Sequence, residues 1–119
     1  MRTPPACSIY RWHGKGAFLL AAVLSLTLAP LDALAAPITH TVVIKAMQFS
    51  PQVLTVRAGD TVEWINQDLF AHDATSVGKG FQSTVMAPHM RWKFTARQKG
   101  TFSYRCTLHP MMKALVIVK

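Results

Sequence analysis

Seven consecutive residues near the end of the chain, Cys106-Thr107-Leu108-His109-Pro110-Met111-Met112, carry a cysteine, a histidine and a methionine at a fixed spacing. Cys-x-x-His-x-x-Met puts a thiolate, an imidazole and a thioether on one tight loop. Taken singly, a buried cysteine or methionine mostly packs as a hydrophobe. Three such donors in one loop point to a metal instead. A further ligand must come from elsewhere, and His72 is the best placed, soon after the stretch Thr61 to Asn66. Two imidazoles, one thiolate and one weak axial thioether form the donor set of a blue-copper electron-transfer site. The thiolate overlaps covalently with copper, the imidazoles suit both oxidation states, and the soft thioether favours Cu(I). Zinc takes thiolates and imidazoles too, but a thioether is an unusual zinc ligand. Four protein donors leave no coordination position for a substrate, so the set implies electron transfer and no enzyme activity. Met112 has the spacing expected of the axial ligand, which turns Met111 outward.

The elements that must position these donors read as strands. His40 to Met47 is rich in β-branched residues, and Val53 to Arg57 alternates. Thr61 to Asn66 puts Val62, Trp64 and Asn66 on one face and Thr61, Glu63 and Ile65 on the other. Trp92 to Ala96 alternates, and Thr101 to Cys106 sets Phe102, Tyr104 and Cys106 against Thr101, Ser103 and Arg105. Ala114 to Val118 is nearly all apolar. Turns are expected at Ala58-Gly59-Asp60 and Lys99-Gly100, and Val77 to Met90, with Gly78, Gly80 and Pro88, reads as a long connection. Short strands separated by turn residues at this density predict an all-β sandwich or barrel.

Residues 1 to 35 differ from the rest. Arg2, Arg11 and Lys15 precede an apolar run from Ala17 to Leu31, and Ala33-Leu34-Ala35 is a small-x-small cleavage site. That order predicts a secretory signal peptide over 1–35, with one domain over 36–119. The apolar run is shorter than the ~20 residues of a spanning helix, so the cleaved product is expected to be free of the membrane. The only other cysteine, Cys7, falls in the leader, which leaves Cys106 without a disulfide partner. A bound metal can staple a small domain in place of disulfides. Of 13 Lys/Arg and 5 Asp/Glu, the leader takes Arg2, Arg11, Lys15 and Asp32, so the remainder carries about +6. The basic residues are scattered singly, without the clustered stripe of a nucleic-acid binder. Such a charge suits steering toward an acidic protein partner.

At these residues the chain resembles the cupredoxins, the small blue-copper proteins, and among them the amicyanins. The resemblance runs from about Ile44 to Lys119. It rests on Ala58-Gly59-Asp60-Thr61-Val62-Glu63-Trp64-Ile65-Asn66, on Gly100-Thr101-Phe102-Ser103-Tyr104-Arg105-Cys106, and on the two-residue gap between His109 and Met112. It implies a Greek-key β-sandwich with one copper ion at one end, held by His72, Cys106, His109 and Met112. It also implies that His109 reaches the surface within an apolar patch of Met47, Phe70, Ala71, Leu108, Pro110 and Met111. The expected protein is a monomeric periplasmic one-electron carrier, with methylamine dehydrogenase as donor and a c-type cytochrome as acceptor.

The chain departs from the family pattern at four places. Asp73 stands where Asn is usual, and is expected to accept a hydrogen bond from Thr107. Ala71 and Leu108 replace prolines, and Met111 replaces an aromatic residue. The last three lie on the expected docking patch and bear on the partner. A second reading is a copper-storage, delivery or resistance protein on the same fold, in which Met86, His89, Met90 and Met111 form a copper-collecting surface.

Overall fold

The alternation of β-branched and polar side chains is realised as eight strands. A computed structural model describes residues 35–119, and the leader expected before them lies outside the described residues. The strands are β1 (Thr39–Lys45), β2 (Gln48–Ser50), β3 (Val53–Val56), β4 (Thr61–Asn66), β5 (Thr75–Ser76), β6 (Arg91–Thr95), β7 (Gly100–Arg105) and β8 (Lys113–Val118). They form two four-stranded sheets, ordered β2-β1-β4-β6 and β3-β8-β7-β5. β1 pairs parallel with β4, and β3 parallel with β8. The other ladders are antiparallel. The strand and turn pattern allowed a sandwich or a barrel, and the chain forms the all-β sandwich that the resemblance implied. No helix of the described residues is long and apolar enough to cross a membrane.

The inward positions of both sheets supply the core. Val42, Ile44, Val62 and Trp64 come from one sheet and Tyr104, Val116 and Val118 from the other, all buried. Trp64 Nε1 donates to the Tyr104 hydroxyl at 3.2 Å, and their rings meet edge to face at 5.6 Å. That bond satisfies two polar groups that burial would otherwise penalise. Burial pushes the Tyr104 hydroxyl up to about 12. Glu63, on the opposite face of β4, is covered by Arg91 and Lys93 at 3.7 and 3.6 Å.

Two elements depart from the sequence reading, both close to the donors. The first predicted strand ends at Lys45, because Ala46 and Met47 take φ values of 51° and 59° and turn the chain directly into β2. The register Lys45↔Gln48 makes this a two-residue hairpin. Such a turn needs φ > 0 at both central residues, a conformation that Asn and Gly favour. The long connection after Val77 is real but tied down. β5 pairs with β7, and isolated bridges join Thr75 to Gln82 and His72 to Met86. Phe81 and Met86 are drawn into the core by these ties.

Candidate metal centre

The donors come from two loops at the end of β4 and β7. The hairpin between β7 and β8 opens after the Arg105↔Lys113 pair, so residues 106–112 form its tip. Two backbone bonds tighten it: Met112 N–H donates to His109 O at 2.9 Å, and Cys106 N–H to Met112 O at 3.1 Å. The second loop leaves β4 at Asn66, whose buried side chain organises it. Asn66 Nδ2 donates to the carbonyls of Phe70 and Met86, each at 2.8 Å, and Oδ1 accepts the Asp68 N–H at 2.9 Å. The chain then meets residue 86 through paired backbone bonds at His72. His72 is thereby held with no solvent exposure.

His72, Cys106 and His109 converge as a three-donor group. Cys106 Sγ lies 3.8 Å from Nδ1 of each histidine, and the two Nδ1 atoms are 3.1 Å apart. The point equidistant from the three donors is about 2.1 Å from each. Bonds of first-row ions to imidazole and thiolate are ~2.0–2.3 Å, so the triangle has the size such an ion needs. Two nitrogens and one sulfur at the corners of a triangle match the trigonal arrangement preferred by blue copper. Within the same loop Met112 is buried, at 4 % exposure, whereas Met111 is 92 % exposed. Met111 is thus turned to solvent, as its spacing predicts.

The surrounding hydrogen bonds fix which atoms point inward. Asp68 Oδ2 lies 3.1 Å from His72 Nε2. The Met47 N–H, at 2.8 Å from the same oxygen, holds the Asp68 carboxyl below the usual carboxylate range. An ionised carboxylate only accepts, so Nε2 carries the proton and Nδ1 keeps its lone pair for a metal. Asp73 performs a different task. Its Oδ1 accepts the Thr107 N–H at 2.6 Å and its Oδ2 accepts the Thr75 hydroxyl at 2.6 Å. Burial raises this carboxyl, but these hydrogen bonds outweigh it and leave it lowered. The Asp73 N–H points at Cys106 Sγ from 3.5 Å. Asp73 thus ties the two loops together, as expected, although Thr107 uses its backbone N–H for this contact. Burial pushes the Cys106 thiol up. A metal held by Cys106 would have to displace that proton, because the thiolate is the form that ligates.

The expected apolar patch is at the surface. Met47, Phe70, Leu108, Pro110 and Met111 are exposed, and Ala71 and His109 partly so. The copper-collecting surface is not formed as drawn, because Met86 has no exposure and packs in the core. His89 and Met90 are exposed. Two positioning residues, Asn66 and Asp68, were not singled out from the sequence. Asp68 precedes His72 by four residues in a polar turn, a signal too common to stand out.

The comparisons with known proteins agree with this geometry. The Cupredoxin-like domain family model matches residues 17–118. Amicyanin of Paracoccus denitrificans is 31 % identical over 81 residues, covering 64 % of this chain and 62 % of that protein. The chain thus spans a little under two thirds of that relative's length. The structure of an oxidized amicyanin mutant superposes with a TM-score of 0.65 at 30 % identity, covering 68 % of this chain and 82 % of the other. A copper-containing nitrite reductase from Thermus scotoductus gives 0.64 at 29 %, covering 71 % of this chain but only 22 % of the enzyme. With the family model matching most of its length and the three donors converging at one end of the sandwich, the chain belongs to the cupredoxin-like family.

Proposed function

We propose that this protein is a periplasmic type 1 copper electron carrier, with one ion held by His72, Cys106, His109 and Met112. The observation that carries this reading is the donor triangle, whose sides of 3.1, 3.8 and 3.8 Å suit a small ion bound by two imidazoles and one thiolate. When bound, copper supplies a one-electron Cu(I)/Cu(II) couple. The chain's own residues supply the rest. Asp68 and the backbone pairing with residue 86 hold His72 still, and Asp73 locks the cysteine loop to the histidine loop. A framework held in this way changes little between oxidation states, which keeps reorganisation small. Burial of Cys106 and His72 excludes water from the donors.

His109 is the donor nearest solvent, and the exposed apolar residues around it form the surface on which a redox partner docks. A dehydrogenase as donor and a c-type cytochrome as acceptor fit the amicyanin resemblance, with the protein acting as a monomer. The carrier has no catalytic role of its own. The likeness to the nitrite reductase extends over a minor part of that enzyme, which supports a shared copper-binding fold and not a shared reaction.

The test is the optical and electron-paramagnetic spectrum of the copper-loaded protein. An intense thiolate-to-copper band is expected, altered by Met112→Ala and retained in Met111→Ala. A colourless Cu(II) protein overturns the reading.

A further inference from the structure

A second feature beside the centre shares residues with the docking surface. A cleft of about 470 Å³ opens between the β1–β2 turn and the cysteine loop. Its lining residues include three methionines, Met47, Met111 and Met112, together with His109. Exposure falls along the methionines, from 92 % at Met111 to 38 % at Met47 and 4 % at Met112. Among the described residues, no carboxylate lines this cleft, and its one charged residue is the cation Lys113. Hard divalent ions seek several oxygen donors and negative charge, and the lining offers only the neutral amides of Gln48 and Gln52. Neutral, soft sulfur donors suit Cu(I).

Met47 also occupies a position that its residue type disfavours. It holds φ at 59° in a two-residue hairpin, where a non-glycine side chain is strained. Its N–H is anchored by Asp68, the carboxylate that also orients His72. Strain held in place by surrounding contacts is a pointer to function.

We propose that Met111 and Met47 form an entry site for Cu(I), which passes the ion along the cleft to His109 and Met112. This rests on the reading of the centre given above. Met111 takes up the ion at the surface, Met47 holds it in the mouth of the cleft, and Met112 and His109 receive it. The ion enters as Cu(I), so ligands exchange and no electron moves.

The test is the double variant Met47→Leu/Met111→Leu, which keeps apolar area for a docking partner and removes both outer thioethers. Metal-free protein is mixed with Cu(I) held by bicinchoninate, and uptake is followed by the loss of the chelate's colour. Uptake by the double variant is expected to slow by ~10-fold or more, because only soft donors compete well for Cu(I). After oxidation its thiolate-to-copper band should match the parent's, which shows that the variant folds. Uptake rates within twofold of each other overturn the proposal. A second readout uses Ag(I) added to the copper-loaded parent, with the methionine methyl carbons observed by NMR. Shifts confined to Met47 and Met111 are expected, and silent methyls overturn the proposal. If the parent never develops the band, the reading of the centre falls, and the entry route falls with it.

Discussion

The strand β4 has a histidine–aspartate pair near each end, and the two pairs differ in what the second ring nitrogen meets. Before β4, His40 Nε2 lies 2.9 Å from Asp60. After it, His72 Nε2 lies 3.1 Å from Asp68. Asp60 is buried and spends its oxygens on architecture: it accepts the N–H groups of Ile38 and Arg57 and so joins the start of β1 to the turn before β4. His40 is one more contact in that clamp and is outside the three-donor group. Asp68 instead fixes His72 so that Nδ1 faces Cys106 and His109. The same contact is a clasp at one end and orients a candidate ligand at the other. A histidine–carboxylate pair is therefore uninformative until the other nitrogen's neighbours are known.

Removing the metal breaks the comparison most strongly. A ligand at ~1,000 times its Kd adds ~4 kcal/mol to stability, which in a domain this small raises Tm by ~15 °C or more. Calorimetry of the copper-loaded and metal-free proteins should show a gap of that order, and equal Tm values would mean that the centre is not a staple. Uptake should also weaken as pH falls, because burial raises the Cys106 thiol and its proton must leave.

Substitution at the two pairs sharpens the contrast. Asp68→Ala is expected to cost ~10–100-fold in copper affinity, the usual effect of losing a hydrogen-bonded carboxylate behind a metal-binding histidine. His40→Gln should leave copper affinity unchanged. Chelator competition measures both, and equal losses at the two positions would erase the distinction drawn between them.

The smallest effect belongs to the structural clasp. The hydrogen bond to His40, then those from the Ile38 and Arg57 backbones, hold the Asp60 carboxyl well below the usual carboxylate range. A depressed folded-state pKa contributes stability above the unfolded value of ~3.9 that is lost as pH falls. Asp60→Asn should lower Tm by several degrees near neutrality. Below about pH 4 the gap to the parent should narrow, because the parent's own carboxylate then starts to lose its advantage. A gap that is constant with pH would assign the loss to packing.

Much of this centre was legible in the residue order. Cysteine, histidine and methionine at that spacing in one loop admit few other chemistries, and the hairpin bringing Arg105 opposite Lys113 only closes what the spacing implies. Strands as long as β6 were legible because a half-buried strand must alternate, as Arg91–Thr95 does. The short strands β2 and β5 were not, since three and two residues carry no period. Nor was the turn at Ala46-Met47, because neither residue type signals a left-handed backbone.

The sequence by itself determined the candidate donor types and the all-β class, because both follow from local spacing and period-two alternation. It marked Met112 and Met111 as opposite in direction, and the burial of one and exposure of the other agree. Only the tertiary structure decided which histidine–aspartate pair points a free nitrogen at the thiol, that Met86 is core and not surface, and that Met47 stands beside Met111 at one cleft. Those outcomes depend on contacts between segments far apart in the chain, and no local pattern encodes them.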